Sequence, residues 1–373
     1  MVKIPAKKKE SSVVERTIAP AVDFVKKIKP GSKVVIAHGH DNDTICSAVV
    51  MKRLVNEVVE AEAILFPTED NFAVRDMDMS GILGMQPDYL IVVDIAHVGS
   101  EDVAKSMAAI STLFIDHHQP IKLPGVTYCN PRLYEKGIYM PVSYITYKIY
   151  EKLDDAAKIA WISGVGTLSD HGVSIAPDLF AFIRKIDAKL AGEKPMSDED
   201  MFTYTLLGKI AKMFDSARII EGKQGAVFAA NALALTKSYK SIVNGGTEES
   251  AKLLMWYETV TKELRRLVAD FNKKRKIIKG KIIFYEIPSK MNIKSTLSGH
   301  LMQFYGDKVL VVAQKRGEML DVSFRRGVKV KTDLNKMAQK AIAGIPDAEG
   351  GGHEAASGAR IPVKYLPKFV KQL

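Results

Sequence analysis

The 373-residue chain is 47% hydrophobic and 26% charged, a composition typical of a globular protein with room for two domains. It has no uninterrupted apolar run of about 18 residues, which argues against a membrane span, and its two cysteines, Cys46 and Cys129, exclude a disulfide framework and favour a cytoplasmic location. The net charge of +11 favours a polyanionic partner such as DNA or RNA, although a lysine-rich surface alone would give the same charge.

Strands and helices are predicted to alternate in the first part of the chain, after a lysine-rich N-terminus that lacks the apolar core of a secretory signal. Short apolar runs predict strands, and segments with helical spacing predict helices. This alternation is typical of βαβ units and a mostly parallel sheet with flanking helices. The predicted strands are 33–37, 61–66, 88–93 and 112–115. The predicted helices are 11–27, 101–110, 141–153 and 156–168, with a further helix that is capped by Asp43 or Thr44 and runs to about residue 58.

The strand signal vanishes between residues 177 and 276, where the composition turns helical. One long charged helix, 248–274, is predicted to connect two domains. Its basic end, Lys273 to Lys276, could contact a phosphate backbone or could be a solvated helix terminus. We expect a catalytic domain at 1–190, a helical insertion with the connector helix at 191–276, and a smaller α/β domain at 277–373.

The smaller domain is predicted from renewed strand character after the long helix. A hairpin is expected within it, followed by a helix and a glycine run that begins at Gly350. The predicted strands are 282–287, 308–312 and 319–324, and the predicted helices are 292–304 and 338–345.

Aspartate and histidine follow several of the predicted apolar segments in the first domain. Because parallel strands present ligands at their carboxyl ends, these side chains are expected to share one site. Carboxylate and imidazole ligands without thiolate favour Mn²⁺ or Mg²⁺, and their number favours two ions about 3.5–4 Å apart. The candidates are Asp41, Asp43, Asp94, Asp116, Asp170, His117, His118 and either His38 or His40.

Each of these residues also has a structural interpretation when it is taken alone. A lone His40, His97 or His171 is more often structural, and a lone aspartate after a strand usually caps a helix. The run Asp116-His117-His118 directly after an apolar strand is much harder to explain in that way. Together with Asp41-x-Asp43 it indicates a metal centre.

The tail carries a second group of candidate residues. Gly350, Gly351 and Gly352 are expected to let backbone N–H groups approach an anion at the start of a helix, with His353 as a further donor. Ser323, Arg325 and Arg326 are predicted to end a strand and suit a phosphate or a carboxylate. A common glycine-rich turn and an ordinary surface strand end remain as alternatives.

These motifs, taken in order, resemble the DHH phosphoesterase superfamily. The first domain carries four of them, and the glycine-rich tail resembles the DHH-associated C-terminal domain. The layout is similar to that of archaeal RecJ-like nucleases. The motifs are His38-Gly39-His40-Asp41-Asn42-Asp43 with Ser47-Ala48, Asp94, Asp116-His117-His118, Gly166-x-x-Ser169-Asp170, and Gly350-Gly351-Gly352-His353 with Ala355-Ala356 and Gly358.

The resemblance implies a site with two Mn²⁺ ions, for which Mg²⁺ could substitute. Asp94 would bridge the ions, and His118 would lie nearby and polarise the substrate or a ligand, with Asp116 and His117 in the same catalytic motif. The tail would hold the terminal phosphate or nucleotide through Ser323, Arg325 and the glycine-rich loop. The remaining ligands would be Asp41 with a motif-one histidine for one ion, and Asp43, His117 and Asp170 for the other.

Two features depart from the family pattern. Thr44 stands where RecJ members usually have glycine, and the first histidine has unusual spacing, so that His38 and His40 are both candidates. We prefer His38, which ends the strand. Because no carboxylate is missing, an active enzyme is expected.

The resulting interpretation is a phosphodiesterase that removes nucleotides from ends of single-stranded DNA or RNA, with 3′ to 5′ polarity favoured by the resemblance. One alternative is a hydrolase of oligoribonucleotides or small (cyclic) nucleotides. Another is a scaffold that binds helicase accessory factors of the GINS type in replication or repair. A pyrophosphatase ranks low, because those enzymes lack a tail such as residues 350–359.

Overall fold

The computed structural model describes residues 12–373 and divides into two compact units. One unit ends at Tyr257, and the second spans Glu258–Leu373. Most of the helical segment that was expected as a separate insertion therefore lies in the first unit. The N-terminal lysine cluster lies outside the described residues, as does the first residue of the predicted helix 11–27.

The first unit alternates strands with helices up to α6 and is helical from there on. The predicted strands are present, and α3 and the short strands β3, β5 and β7 are additional. The strands are β1 (Lys33–His38), β2 (Glu62–Pro67), β3 (Ala73–Val74), β4 (Tyr89–Val93), β5 (His97–Val98), β6 (Ser111–Ile115) and β7 (Thr127–Cys129). The helices are α1 (Val13–Val25), α2 (Asn42–Arg53), α3 (Asp76–Gly84), α4 (Glu101–Ala109), α5 (Val142–Glu151), α6 (Ala160–Ser169), α7 (Pro177–Ile186), α8 (Ala188–Ala191), α9 (Asp198–Tyr204), α10 (Leu206–Glu221), α11 (Lys223–Leu235), α12 (Tyr239–Asn244) and α13 (Glu248–Lys274), which crosses the division at Tyr257.

The main sheet of the first unit has the order β2-β1-β4-β6-β7, and every pair in it is parallel. Side chains alternate between two apolar clusters, so Val34 and Ile36 face one cluster while Val35 and Ala37 face the other. Both faces are thus covered, as expected for a parallel sheet, and the predicted βαβ architecture is confirmed. The carboxyl ends of the strands remain available to form a site.

Helix α2 begins earlier than the sequence predicts, because its N-cap is Asp41 and not Asp43 or Thr44. The carboxylate of Asp41 accepts the main-chain N–H of Thr44 over 3.0 Å and caps the helix. At its other end α2 continues into a π-helical turn, Leu54–Val58. Helix α10 packs against α6, and α11 packs against α2. The helical part of the first unit therefore supports the two helices that carry the first and the last motif of that unit.

The second unit contains a mixed six-stranded sheet with three helices. The predicted hairpin is confirmed, because β10 and β11 pair antiparallel. One face of the sheet packs against α15 and α16 around Val311, Val322 and Phe324, and α14 packs against β10 and β11. The strands are β8 (Lys276–Ile278), β9 (Ile282–Ile287), β10 (Val309–Arg316), β11 (Met319–Arg326), β12 (Glu349–Gly352) and β13 (Ala356–Pro362), and the helices are α14 (Lys294–Met302), α15 (Leu334–Ile342) and α16 (Leu366–Gln372).

The glycine run does not begin a helix, and this expectation was wrong. Gly350, Gly351 and Gly352 lie in β12, the edge strand that pairs antiparallel with β13. Glycine carries no side-chain pattern that distinguishes a strand from a loop, and this strand forms because the backbone of β13 lies beside it.

Within residues 12–373, the longest helices are too polar to meet the requirements for a membrane-spanning segment.

Candidate metal centre

Three neighbouring strands of the main sheet deliver polar residues at the same level. His38 pairs with Val93, and Val93 pairs with Ile115, so the three strands end side by side. The next residues along β4 and β6 are Asp94 and Asp116. The main-chain N–H of Asp94 donates to the carbonyl of Ile115 over 2.8 Å, which fixes one strand end to the other.

Asp94, His117 and His118 form a group that could hold a metal ion. One ligand atom from each residue lies within 4.8 Å of the others. Nε2 of His117 is 3.5 Å from Oδ1 of Asp94, and Nδ1 of His118 is 3.8 Å from the same oxygen. The backbone of Asp94 has a φ of +56°, a conformation that costs free energy in a non-glycine residue and is common at functional sites.

Two buried atoms of this group lack hydrogen-bond partners. They are Oδ1 of Asp94 and Nδ1 of His117. Buried polar atoms in folded proteins are nearly always hydrogen-bonded, so an unpaired carboxylate oxygen beside an imidazole calls for a ligand. Oxygen and nitrogen donors of this kind suit a divalent metal ion, and the residues present therefore fit such a cofactor.

Asp41 and Asp43 approach the group from the first turn of α2. The carboxylate of Asp43 accepts the main-chain N–H groups of Val142 (2.7 Å) and Ser143 (2.8 Å) at the start of α5. Asp41 is joined to Asp94 through Thr44, whose hydroxyl lies 2.8 Å from Oδ1 of Asp41 and 2.7 Å from Oδ2 of Asp94. Both carboxylates of the first motif are therefore held by neighbouring donors.

Asp170 completes the acidic ring from the C-terminal end of α6. Its Oδ2 lies 3.7 Å from Nδ1 of His117. The hydroxyl of Tyr139 hydrogen-bonds to the carboxylate of Asp170, and the Tyr139 ring lies 5.3 Å from the ring of His117. Asp170 is thus oriented by a residue that belongs to none of the motifs.

The carboxyl groups lie close together in a buried site, and the pKa values of three of them are raised. Burial raises the pKa of Asp94, and the charges of Asp41 and Asp43 raise it further. Burial likewise raises the pKa of Asp43, with an added contribution from Asp170, and it raises the pKa of Asp170. A bound positive charge, such as that of a metal ion, would favour the charged form of these groups.

The structure distinguishes the two histidines of the first motif. Nδ1 of His38 lies 2.7 Å from the carbonyl of Gly39, and because a carbonyl only accepts, Nδ1 carries the proton and Nε2 keeps its lone pair. Burial lowers the pKa of His38 to about 4, so its ring is neutral at pH 7. Nε2 of His40 instead lies 2.6 Å from the carbonyl of Thr68. The geometry therefore favours His38 as the ligand.

Asp116 does not belong to the metal-binding group but orients His118. Its Oδ1 lies 2.7 Å from Nδ1 of His118, and its Oδ2 accepts the His118 main-chain N–H (3.1 Å) and the Asn130 side-chain amide (3.2 Å). Burial opposes protonation of His118, but the bond to Asp116 and the nearby carboxylates outweigh it and raise the pKa of His118. With its Nδ1 engaged, His118 keeps Nε2 for a substrate or ligand.

Sequence reasoning missed two residues that support the site. Tyr139 lies in a loop and carries no motif. Asn71 follows β2, and its side chain donates to Oδ2 of Asp41 (3.1 Å) and accepts the main-chain N–H of His40. A Cβ at Gly39 would lie 2.6 Å from the carbonyl of Asn71, so the glycine between the two histidines lets this loop approach. That glycine was the available signal for a close contact.

The candidate substrate residues of the second unit lie on β11 and its neighbours. Ser323 is buried and lies opposite Gly358, which in turn lies opposite Gly351. A Cβ at Gly351 or at Gly358 would meet its nearest neighbour at 3.6 Å or 3.5 Å, which is ordinary van der Waals contact. Burial lowers the pKa of Arg325, which stands on the same face of β11 as Ser323.

Arg326 and His353 have structural contacts of their own. Nη1 of Arg326 donates to the carbonyl of Thr332 over 2.8 Å, and the main-chain N–H of His353 donates to the carbonyl of Ala356. Arg326 is the last residue of β11, and the alternation of side chains along the strand places it on the side that faces the core. The sheet brings three of the predicted tail residues onto one face, namely Ser323, Arg325 and Gly351.

Comparisons with known proteins agree with this architecture. Residues 33–163 match the model of the DHH family, N-terminal domain, and residues 280–373 match the model of the DHHA1 domain. The chain therefore belongs to the DHH phosphoesterase superfamily. Among curated protein sequences, none matches the chain.

Solved structures of low sequence identity share the fold. RecJ from Thermus thermophilus in complex with Mn²⁺ is 14% identical with a TM-score of 0.63, over 99% of this chain and 55% of that chain, so this chain spans about half the length of that RecJ. An exonuclease RecJ bound to manganese is 13% identical with a TM-score of 0.64, over 99% of this chain and 95% of the other. CDC45 from Entamoeba histolytica is 11% identical with a TM-score of 0.51, over 96% and 97%. The fold is thus RecJ-like.

Proposed function

We propose that this protein is a metal-dependent exonuclease that removes nucleotides from the ends of single-stranded DNA or RNA, with 3′ to 5′ polarity and two ions in its site. The observation that carries the proposal is the group of Asp94, His117 and His118, with its unpaired buried atoms, inside a ring of three further carboxylates. Structural proteins have little reason to bury so many like charges together.

Asp94 would bridge the two ions, and the other donors would divide between them. Asp41 and His38 would hold one ion, while Asp43, His117 and Asp170 would hold the other. Mn²⁺ suits the mixed oxygen and nitrogen donors, with Mg²⁺ as a substitute. Bound in this way, the ions would lower the pKa of a water molecule and neutralise charge on the phosphate.

His118 is suited to contact the substrate. Its side chain is 32% exposed, whereas that of His117 is 9% exposed. Asp116 fixes its ring through Nδ1 and raises its pKa, which favours the protonated form in which Nε2 would donate a hydrogen bond to a phosphate oxygen. Asp116 is thereby a positioning residue for His118.

The nucleic-acid substrate is supported by charge and by the second unit. The net charge of +11 favours a polyanion. Arg325 is half-buried and lies on the same face of β11 as Ser323, an arrangement that suits the terminal phosphate of a strand. Two neighbours of like fold are named as RecJ, one of them as an exonuclease. A replication partner of the GINS or helicase type is also compatible, because one neighbour is a CDC45.

The test is cleavage of a 5′-labelled single-stranded oligonucleotide, offered as DNA and as RNA, with Mn²⁺ and with EDTA. Asp94→Asn removes one ligand charge, and Asp102→Asn, an exposed carboxylate on α4, is the matched control. We expect a progressive ladder of products shortened from the 3′ end for the wild type and the control. Chelator and Asp94→Asn should abolish the ladder.

The other outcomes separate the alternatives. Immediate release of a labelled mononucleotide would mean attack from the 5′ end. Cleavage of dinucleotides or cyclic dinucleotides while long oligomers survive would replace the exonuclease by a small-substrate phosphodiesterase. No cleavage of any substrate in the presence of bound Mn²⁺, together with tight binding of a replication protein, would leave a scaffold.

A further inference from the structure

Arg132 follows the last strand of the main sheet and is tied to the Asp116–His118 segment. It lies in a short 3₁₀ turn, Pro131–Leu133, next to β7. The side-chain carbonyl of Asn130 accepts the main-chain N–H of Arg132 over 2.9 Å. The amide of the same Asn130 donates to Oδ2 of Asp116 (3.2 Å) and to the carbonyl of His118 (3.1 Å). The backbone of Arg132 is therefore fixed relative to the catalytic segment.

Arg132 is half-buried, and one nitrogen of its guanidinium is buried without a partner. Its Nε is buried without a hydrogen bond, and across residues 12–373 no ion pair engages the group. Arg53 also buries an unpaired Nε, but the Nη2 of Arg53 donates to the carbonyls of Leu233 and Thr236. Arg53 thus has a structural role that Arg132 lacks. A buried cationic donor without an acceptor costs free energy unless a ligand supplies one.

Arg132 lies two residues after Asn130, whose amide bonds to both Asp116 and His118, so the backbone of Arg132 lies beside the metal centre. Arginine presents several N–H donors in a rigid plane and binds phosphate oxygens in pairs, which suits this position.

We propose that Arg132 is a catalytic residue that binds a nonbridging oxygen of the substrate phosphate at the metal centre. Its guanidinium would donate to the oxygen on which negative charge accumulates during attack, and it would lie beside His118 in doing so. This inference rests on the proposed function, because it assigns the phosphate to the same site. Arg132 would thus add a positive charge of the protein to the charges of the bound metal ions.

The test compares Arg132→Ala and Arg132→Lys with Arg16→Ala as the control. Arg16 is exposed, and its guanidinium lies 5.6 Å from the centre of the Tyr134 ring, in the same neighbourhood but without a buried donor. Arg132→Ala should lower kcat about 10²- to 10³-fold, as does removal of one donor to a transition-state oxyanion. Arg132→Lys should recover part of the loss, and free guanidinium ion should partly restore Arg132→Ala.

Two binding measurements separate this role from a structural one and from failure of the proposed function. Mn²⁺ affinity should be the same in Arg132→Ala and in the wild type. Inorganic phosphate, used as the probe, should bind the Mn²⁺-loaded wild type at least tenfold more tightly than Arg132→Ala. If no oligonucleotide is cleaved, the phosphate measurement still tests Arg132. Unchanged kcat and unchanged phosphate affinity in Arg132→Ala, or equal losses of Mn²⁺ affinity and kcat without guanidinium rescue, would overturn the inference.

Discussion

The hydroxyl of Thr44 lies 2.7 Å from Oδ2 of Asp94. The same hydroxyl lies 2.8 Å from Oδ1 of Asp41, and its single proton can be donated to only one of these oxygens at a time. Thr44 therefore supplies a donor between two carboxylates that would bind metal. The donor orients both carboxylates.

Replacing Thr44 by valine keeps the shape of the side chain and removes the donor. We expect Thr44→Val to lower Mn²⁺ affinity about 10- to 100-fold, the usual effect of losing a partner that orients a ligand. Calorimetric titration with Mn²⁺ measures the change. Thr44→Ser, which keeps the hydroxyl, is the control and should remain close to the wild type. Equal affinities for valine and serine would show that the hydroxyl has no part in metal binding.

Tyr139 should support Asp170 in a similar way. Tyr139→Phe removes the hydroxyl that bonds to the carboxylate and leaves the ring beside His117. The charged form of Asp170 loses a donor, so metal affinity should fall about 10-fold or more. Tyr134→Phe changes an exposed tyrosine and is the control. A Tyr139→Phe protein with wild-type Mn²⁺ affinity and activity would contradict the role.

His38 and His40 can be separated by substitution. His38 is buried with Nε2 available, whereas Nε2 of His40 contacts the carbonyl of Thr68. His38→Ala should therefore weaken Mn²⁺ binding at least 10-fold, while His40→Ala should change it by a much smaller factor. Electron paramagnetic resonance of free Mn²⁺ measures both affinities. The reverse order of effects would assign the ligand to His40.

The parts of the fold that could be predicted from sequence are those set by apolar patterning. Continuous apolar runs identified the strands, and the polar residues directly after β4 and β6 identified the shared edge. The helix α3 was not predicted, because its residues, Asp76–Gly84, show no apolar face. The edge strand β12 was mistaken for a helix start, because glycine reveals nothing of its pairing partner.

The sequence predicted the motif residues of the site but not the residues that support them. Asp94, His117 and His118 come together as expected from strand ends. Tyr139, Asn71 and the buried Nε of Arg132 depend on how loops pack against the sheet, and no spacing along the chain encodes that packing. The sequence also could not show whether Asp116 binds metal or orients a neighbouring side chain. In the structure its carboxylate bonds to Nδ1 of His118, so it orients that histidine.

Metal-linked stability should depend on pH. The pKa values of Asp43, Asp94 and Asp170 are raised mainly by burial, so without metal the folded protein holds protons that the unfolded chain releases. That contribution to stability is fully present below the unfolded pKa of about 4 and is lost as the pH rises through the raised folded values. Mn²⁺ replaces the protons, so its stabilising effect should grow with pH.

The measurement is Tm with EDTA and with Mn²⁺, at about pH 5.5 and about pH 7.5. The gain in Tm from Mn²⁺ should be larger at the higher pH. Asp94→Asn should show a smaller gain and a weaker dependence on pH, and Asp102→Asn should behave as the wild type. A gain that is the same at both pH values would mean that these carboxyl groups do not exchange protons for metal.

The most direct test of the metal centre is the number of Mn²⁺ ions that bind per chain, measured by calorimetric titration at neutral pH. We predict two ions for the wild type and for Asp102→Asn. Asp94→Asn, which loses the charge of the carboxylate proposed to hold both ions, should lose tight binding of at least one ion, together with oligonucleotide cleavage. A wild-type chain that binds no Mn²⁺, or an Asp94→Asn chain that binds two ions with unchanged affinity, would contradict the account.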